Sequence, residues 1–188
     1  MGKTRPVNKP QMGVRPNFDQ AIDFANKIYG SKNLTDEERL MYIAEMIPGG
    51  VAENINNGDF KNTCAIRMSY VLNLCGLKIA YDGNKTVSGT IITDDNNNKK
   101  KFWFYYRVVD LQNFLFGKWG KPDNTFAFPT AMDVKDKKGL ILFETQFSDA
   151  SGHATLIDGT HTSASCYDHC YFYSQGYNTK KAYFWKLS

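Results

Sequence analysis

The apolar residues of this chain change period near its middle. Up to Gly76 they recur at helical spacing, and from Phe102 onward they gather in short aromatic and β-branched runs bounded by Gly, Asp, Ser or Asn. Helices first and strands afterwards predict an α+β domain, with N-terminal helices packed on an antiparallel β-sheet, and exclude the alternating pattern of a parallel-sheet fold. The 188 residues suffice for one domain with its own core. An apolar content of 42%, a third of it aromatic, excludes a disordered, collagen-like or coiled-coil chain.

The elements follow from local signals. Apolar positions 18, 21, 22, 24, 25, 28 and 29 predict a helix over Phe18 to Tyr29. Thr35 and Glu38 form a capping box for a second helix that runs to about Ile47 and stops at Pro48-Gly49-Gly50. After a Gly/Asn-rich stretch, Asn54 to Gly58, a third helix spans Asn62 to Gly76, with Asn62 as N-cap, Gly76 as C′, and Met68, Val71, Leu72 and Cys75 on one face. Strands are predicted over Phe102–Val109, Leu140–Phe147, His153–Ile157, Cys170–Ser174 and Lys181–Leu187. A short helix capped by Asp110 covers Leu111–Phe116, and the lysines at 99–101 read as a solvated turn.

Charge narrows the partners. The formal net charge is +4, but Lys3, Arg5, Lys9 and Arg15 stand in the first 18 residues with no acid. Residues 1–17, with Pro6, Pro10 and Pro16, read as a flexible basic arm, and 18–188 as a single domain with balanced charge. That balance is not the footprint of a nucleic-acid-binding domain. No apolar run approaches the roughly 20 residues that span a bilayer, so no membrane insertion is expected. The start lacks the apolar region of a cleaved signal, so the chain is expected to be made in the cytoplasm and to leave it by a route that reads no such signal.

Few residues can carry chemistry. Cys64 falls in the first turn of its helix, where free backbone N–H groups and the macrodipole favour a thiolate. Cys75, about three turns further along, reads as a packing residue. Cys166 and Cys170 are near enough in sequence to bridge in a turn in an oxidising compartment. Of three histidines, His153 begins an alternating strand, downstream of Cys64. A cysteine at a helix start followed by a histidine on a strand is the chain order of papain-type hydrolases, and Asp168 is available to orient the ring. Other readings stay open at this level. Cys64 can be a small buried hydrophobe, and His161, Cys166, His169 and Cys170 offer four nominal zinc ligands, though not at zinc-finger spacing.

Beyond these residue types, the segment Asn62-Thr63-Cys64-Ala65-Ile66-Arg67-Met68-Ser69 resembles the helix start of the fourth family of type VI secretion amidase effectors, papain-like bacterial toxins that cut peptidoglycan stem peptides. The resemblance continues through Val87-Ser88-Gly89, Tyr106-Arg107-Val108, Gly120-Lys121-Pro122-Asp123, Lys137-Lys138-Gly139, Gly152-His153-x-Thr155-Leu156 and Cys166-x-Asp168-x-Cys170, so it covers about Gly49 to Trp185. It implies a papain-like cysteine hydrolase core with Cys64, His153 and Asp168 as catalytic residues. Asp158 is the other nearby carboxylate, and the Cys-x-Asp-x-Cys frame favours Asp168. The resemblance also implies a Cys166–Cys170 disulfide, no metal and no organic cofactor. The implied reaction is hydrolysis of the γ-D-glutamyl–meso-diaminopimelate bond, with the Cys64 N–H among the oxyanion donors. The implied partners are the stem-peptide substrate, the type VI secretion machinery and a cognate periplasmic immunity protein, and the implied destination is the periplasm of a rival cell; the alternative reading is a non-catalytic cell-wall-binding module that keeps the fold.

Overall fold

The computed structural model describes residues 13–30, 33–93, 98–146, 152–160 and 165–188. Two helices stand where the local signals put them. Helix α1, Phe18–Tyr29, is capped by Asn17, whose side chain accepts the Gln20 N–H at 3.0 Å, and it buries Phe18, Ala21, Ala25, Ile28 and Tyr29. Helix α2, Asp36–Met46, opens on the Thr35/Glu38 capping box. Helix α3, Gly50–Asn56, was not expected. Its glycines and asparagines disfavour a helix on their own, and it is held by burial of Val51 and Ile55. Gly89 of the facing strand permits that close approach, because a Cβ there would collide with Ile47, just before α3, and come within 3.3 Å of Val51.

Helix α4, Cys64–Leu74, is the core of the molecule: every residue from Cys64 to Asn73 is buried. A helix apolar on one face only would not behave this way, and the polar residues of α4 explain why it can. The Ser69 hydroxyl accepts the Tyr105 N–H at 3.1 Å. Asn73 donates to the Trp103 carbonyl at 2.9 Å and accepts the Ile79 N–H at 2.9 Å. Arg67 pairs with Asp168 at 3.0 Å. Ser69 and Asn73 are thus tied to fixed backbone partners and Arg67 to Asp168 through one nitrogen, while Ile66, Met68, Val71 and Leu72 contribute roughly 1.5–3 kcal/mol apiece through burial.

Strands β1 (Thr86–Ile92) and β2 (Lys99–Tyr105) form an antiparallel hairpin beside α4. The lysines read as a turn lie in β2, where Lys101 pairs with Thr90 and Lys99 with Ile92. Val108–Trp119 forms α5, which starts three residues before the predicted short helix and runs through Gly117. The remaining strands are β3 (Asn124–Ala127), β4 (Lys138–Thr145), β5 (His153–Asp158), β6 (Ser165–Cys166) and β7 (Thr179–Lys186). They make one antiparallel sheet in the order β3-β7-β4-β5-β6. The apolar run Leu140–Phe143 is continuous because both sheet faces are covered. Leu140 and Leu142 join the helical core, while Ile141 and Phe143 pack with Val134, Phe172 and Phe184 beneath. The stretch Cys170–Ser174 is not a strand; part of it is a 3₁₀ turn over Tyr173–Gln175.

Of the stretch read as an arm, residues 13–17 lie against the body. The Gly13 N–H donates to the Lys118 carbonyl at 2.7 Å, Pro16 accepts from Ser188, and Arg15 pairs with Asp123. Among the described residues, no helix is long and apolar enough to cross a membrane.

Candidate active site

The N-terminus of α4 abuts the start of β5, and there the candidate residues meet. Cys64 is 2% exposed. Its Sγ lies 4.0 Å from the Gly152 carbonyl, and the Ala154 N–H points at the sulfur, so the thiol touches the backbone on both sides of His153. His153, 4% exposed, packs edge-on against the Tyr171 ring at 4.8 Å. Its Nε2 faces Asp168 Oδ2 at 3.7 Å, and the same oxygen takes the Arg67 guanidinium at 3.0 Å.

Asp168 reaches this position through the strand next to it. The Tyr167 N–H donates to the Leu156 carbonyl at 2.9 Å, and the Asp168 N–H approaches the hydroxyl of Thr155, two residues after His153 on β5 and so on the same face, at 3.4 Å. The Cys166–Cys170 disulfide closes the turn around it, with Cα atoms 5.3 Å apart. Asp158 stands at the far end of β5, where it pairs with Lys138 at 3.1 Å and accepts two hydrogen bonds from Thr160. The frame around Asp168, not proximity in sequence, separates the two carboxylates.

The disulfide also removes the zinc reading. Cys166 and Cys170 are bonded to each other, and His169 instead shares a hydrogen bond with the Tyr177 hydroxyl at 2.7 Å. His161 lies outside the described residues. Among the described residues no group of His, Cys, Asp and Glu is placed to hold a metal ion.

Electrostatically the pair differs from the thiolate expected of a helix N-terminus. Burial pushes the Cys64 thiol upward and outweighs the Ala154 and Ala65 N–H groups and the Arg67 charge that favour its ionised form. Burial likewise lowers His153 to about 4; Asp168 opposes that shift, and Arg67 and His169 add to it. The resting pair is therefore a neutral thiol beside a neutral imidazole. The Cys64 N–H, expected as an oxyanion donor, is bonded to Asn62 Oδ1 at 3.1 Å, and Thr63 rather than Asn62 occupies the N-cap. A cavity of about 370 Å³ opens beside the site, walled in part by Lys61, Asn62, Thr63, Arg67, His153 and Asp168. Residue type and chain order alone do not mark Arg67 for the site. The signal was an arginine three residues after Cys64 inside an otherwise apolar helix turn.

A buried helix presenting a cysteine to the first residue of an antiparallel strand is the architecture of the papain-like α+β proteins. Comparison with known proteins narrows this class. The family described as "Type VI secretion system (T6SS), amidase effector protein 4" matches residues 60–185, and the chain belongs to that family. It is a type VI secretion amidase effector, a peptidoglycan hydrolase. The type VI effector Tae4 from Enterobacter cloacae is 32% identical, with a TM-score of 0.74 over 95% of this chain and 100% of that one. The Tae4–Tai4 effector–immunity complex from Salmonella Typhimurium matches with 32% identity and a TM-score of 0.74, over 93% of this chain and 99% of that one. The corresponding complex from Enterobacter cloacae gives 30% and 0.75, over 93% and 100%. No curated protein sequence matches the chain.

Proposed function

We propose that this effector cuts the γ-D-glutamyl–meso-diaminopimelate amide of stem peptides by thiol catalysis, with Cys64 as nucleophile, His153 as general base and acid, and Asp168 as the group that orients the ring. The observation that carries this reading is the convergence of the three on one point: the Cys64 sulfur sits between Gly152 and Ala154, and His153 Nε2 is directed at Asp168.

The chemistry follows from that geometry. With Nε2 turned to Asp168, Nδ1 is the nitrogen left to take the thiol proton. Because both groups are neutral at rest, proton transfer accompanies attack of sulfur on the γ-carbonyl carbon. The carbonyl oxygen, now negative, replaces Asn62 Oδ1 as acceptor of the Cys64 N–H. The tetrahedral intermediate collapses with cleavage of the C–N bond, and the imidazolium gives its proton to the departing amine. Water then attacks the thioester, the imidazole takes the proton of that water, and Cys64 leaves as the thiol. Asp168 stabilises the imidazolium in both halves.

The solved Tae4–Tai4 complexes pair an effector with an immunity protein. A cognate immunity protein in the periplasm is accordingly the partner expected of this chain, delivered there by the type VI machinery. The decisive experiment is mass spectrometry of purified muropeptides after incubation with the wild type and with Cys64→Ala. The wild type should release a free D-glutamate γ-carboxyl and a free diaminopimelate amine. Cys64→Ala should fold alike and lose several orders of magnitude in rate. Cleavage that survives the substitution would reject thiol catalysis, and cleavage at another bond would reject the assigned specificity.

A further inference from the structure

One turn beyond the nucleophile on α4, Arg67 reaches the carboxylate that orients the base. We infer that Arg67 is a positioning residue of the reaction, which fixes Asp168 Oδ2 for His153 so that a single buried helix carries both the nucleophile and the anchor of its acid–base partner. The inference rests on the assignment of Cys64, His153 and Asp168 made above.

Arg67 is an expensive residue to keep in this place. Its side chain is 8% exposed, and its guanidinium lies over the Tyr29 ring at 4.2 Å. Nε and Nη1 are buried without a hydrogen-bond partner among the described residues, and the one ionic contact is Nη2 to Asp168 Oδ2 at 3.0 Å. A buried ion pair adds little net stability, and apolar residues of similar volume commonly serve the core as well or better. Packing alone thus gives no reason for a guanidinium with two idle nitrogens here. The shared oxygen does give one.

Asp168 Oδ2 is bonded to Arg67 and stands 3.7 Å from His153 Nε2, beyond hydrogen-bond distance. At rest the carboxylate is anchored on the fixed cation and faces the neutral ring without yet bonding to it. When the ring takes the thiol proton, it becomes a second cation beside the same oxygen. A carboxylate oxygen can accept both N–H groups, so a shift of under about 1 Å completes the contact without release of Arg67. The charged and titratable groups around the ring are few. Asp168 favours the imidazolium, Arg67 and His169 oppose it, Tyr171 presents its ring at 4.8 Å, and Cys64 lies on the side of Gly152. Burial, with the Arg67 charge set against the carboxylate, keeps the ring in the form that accepts a proton.

The test is a double-mutant cycle on a purified disaccharide–tetrapeptide muropeptide, with Arg67→Gln, Arg67→Lys, Asp168→Asn and Arg67→Gln/Asp168→Asn. Arg67→Gln should lower kcat about 10- to 100-fold with KM changed less than about twofold. The acid limb of its kcat/KM profile should move to higher pH, since loss of the cation makes the ring more basic. Arg67→Lys, which restores the charge without the fork, should recover part of the loss. Because both residues act through one carboxylate, adding Arg67→Gln to Asp168→Asn should cost less than about threefold more. Multiplicative losses, or a reduced kcat with an unmoved pH profile, would overturn the inference while leaving the catalytic assignment intact. Wild-type rates for Asp168→Asn would overturn both. Should Arg67→Gln fail to fold, Arg67→Lys alone and combined with Asp168→Asn carries the same cycle, with the same refuting outcome.

Discussion

Burial of His153 has a measurable consequence for the folded state itself. The ring titrates near 4 in the native protein, against about 6.5 in an unfolded chain. Between those values the unfolded state binds a proton that the folded state refuses, so stability rises with pH and is lost as the pH falls from about 6.5 towards 4. Integrating the difference between pH 7 and pH 5 gives a loss of about 2 kcal/mol from this one group. His153→Gln keeps the size and polarity of the side chain and removes its titration. Urea denaturation of both proteins at pH 7 and pH 5, extrapolated linearly, isolates the effect, because the other titrating groups are common to the two. The wild type should lose about 2 kcal/mol more than the variant over that interval. Equal losses would show that the ring is as readily protonated in the fold as in water, and that burial does not hold it neutral.

Two further outcomes follow from the frame around the site. Asp168→Asn should reduce turnover on muropeptides far more than Asp158→Asn, whose partners Lys138 and Thr160 lie at the other end of β5; steady-state rates of the two variants decide it, and a crippled Asp158→Asn beside a mild Asp168→Asn would reverse the assignment. Under denaturing, non-reducing conditions the chain should show two free thiols, Cys64 and Cys75, and Cys166→Ala/Cys170→Ala should lower stability by about 2 kcal/mol, the entropy expected for so short a loop; a count of four would remove the disulfide.

The parts of this fold that local chemistry decides were legible in the sequence. The Asn17 cap and the Thr35/Glu38 box mark the starts of α1 and α2, and Gly76, with φ at 88°, lies just past α4. Tertiary contacts decided the rest. Helix α3 has poor propensity and exists because Val51 and Ile55 are buried. The lysines of β2 look like a turn until strand β1 supplies partners for their backbone. Gly117 lies just past the predicted end of the short helix, yet α5 continues through it because Trp119 beyond it is buried. At the site, chain order and residue type pointed to Cys64, His153 and Asp168, but not to their electrostatics. The helix N-terminus argued for a thiolate, and only the packed structure shows that desolvation wins.

That outcome changes what the fold must contribute to catalysis. A preformed thiolate–imidazolium pair is reactive before substrate arrives and tolerates some looseness, since charge attraction holds its members together. A neutral pair has no such attraction at rest, and its proton moves only when sulfur, ring and carbonyl are aligned. Once the proton has moved, two opposite charges stand in a poorly screened interior, where attraction between them and the stabilising carboxylate is stronger than in water. Alignment is therefore the limiting resource, and α4 supplies it. The helix is buried from Cys64 to Asn73, with Ser69 and Asn73 tied to the β2 backbone and Arg67 tied to Asp168. The first strand residue it meets is His153, whose partner on the next strand, Phe143, belongs to the second core. The nucleophile and the base are thus held by two different cores, joined through one sheet, and a loosening of either core should be felt at the reacting atoms before it is felt in substrate affinity.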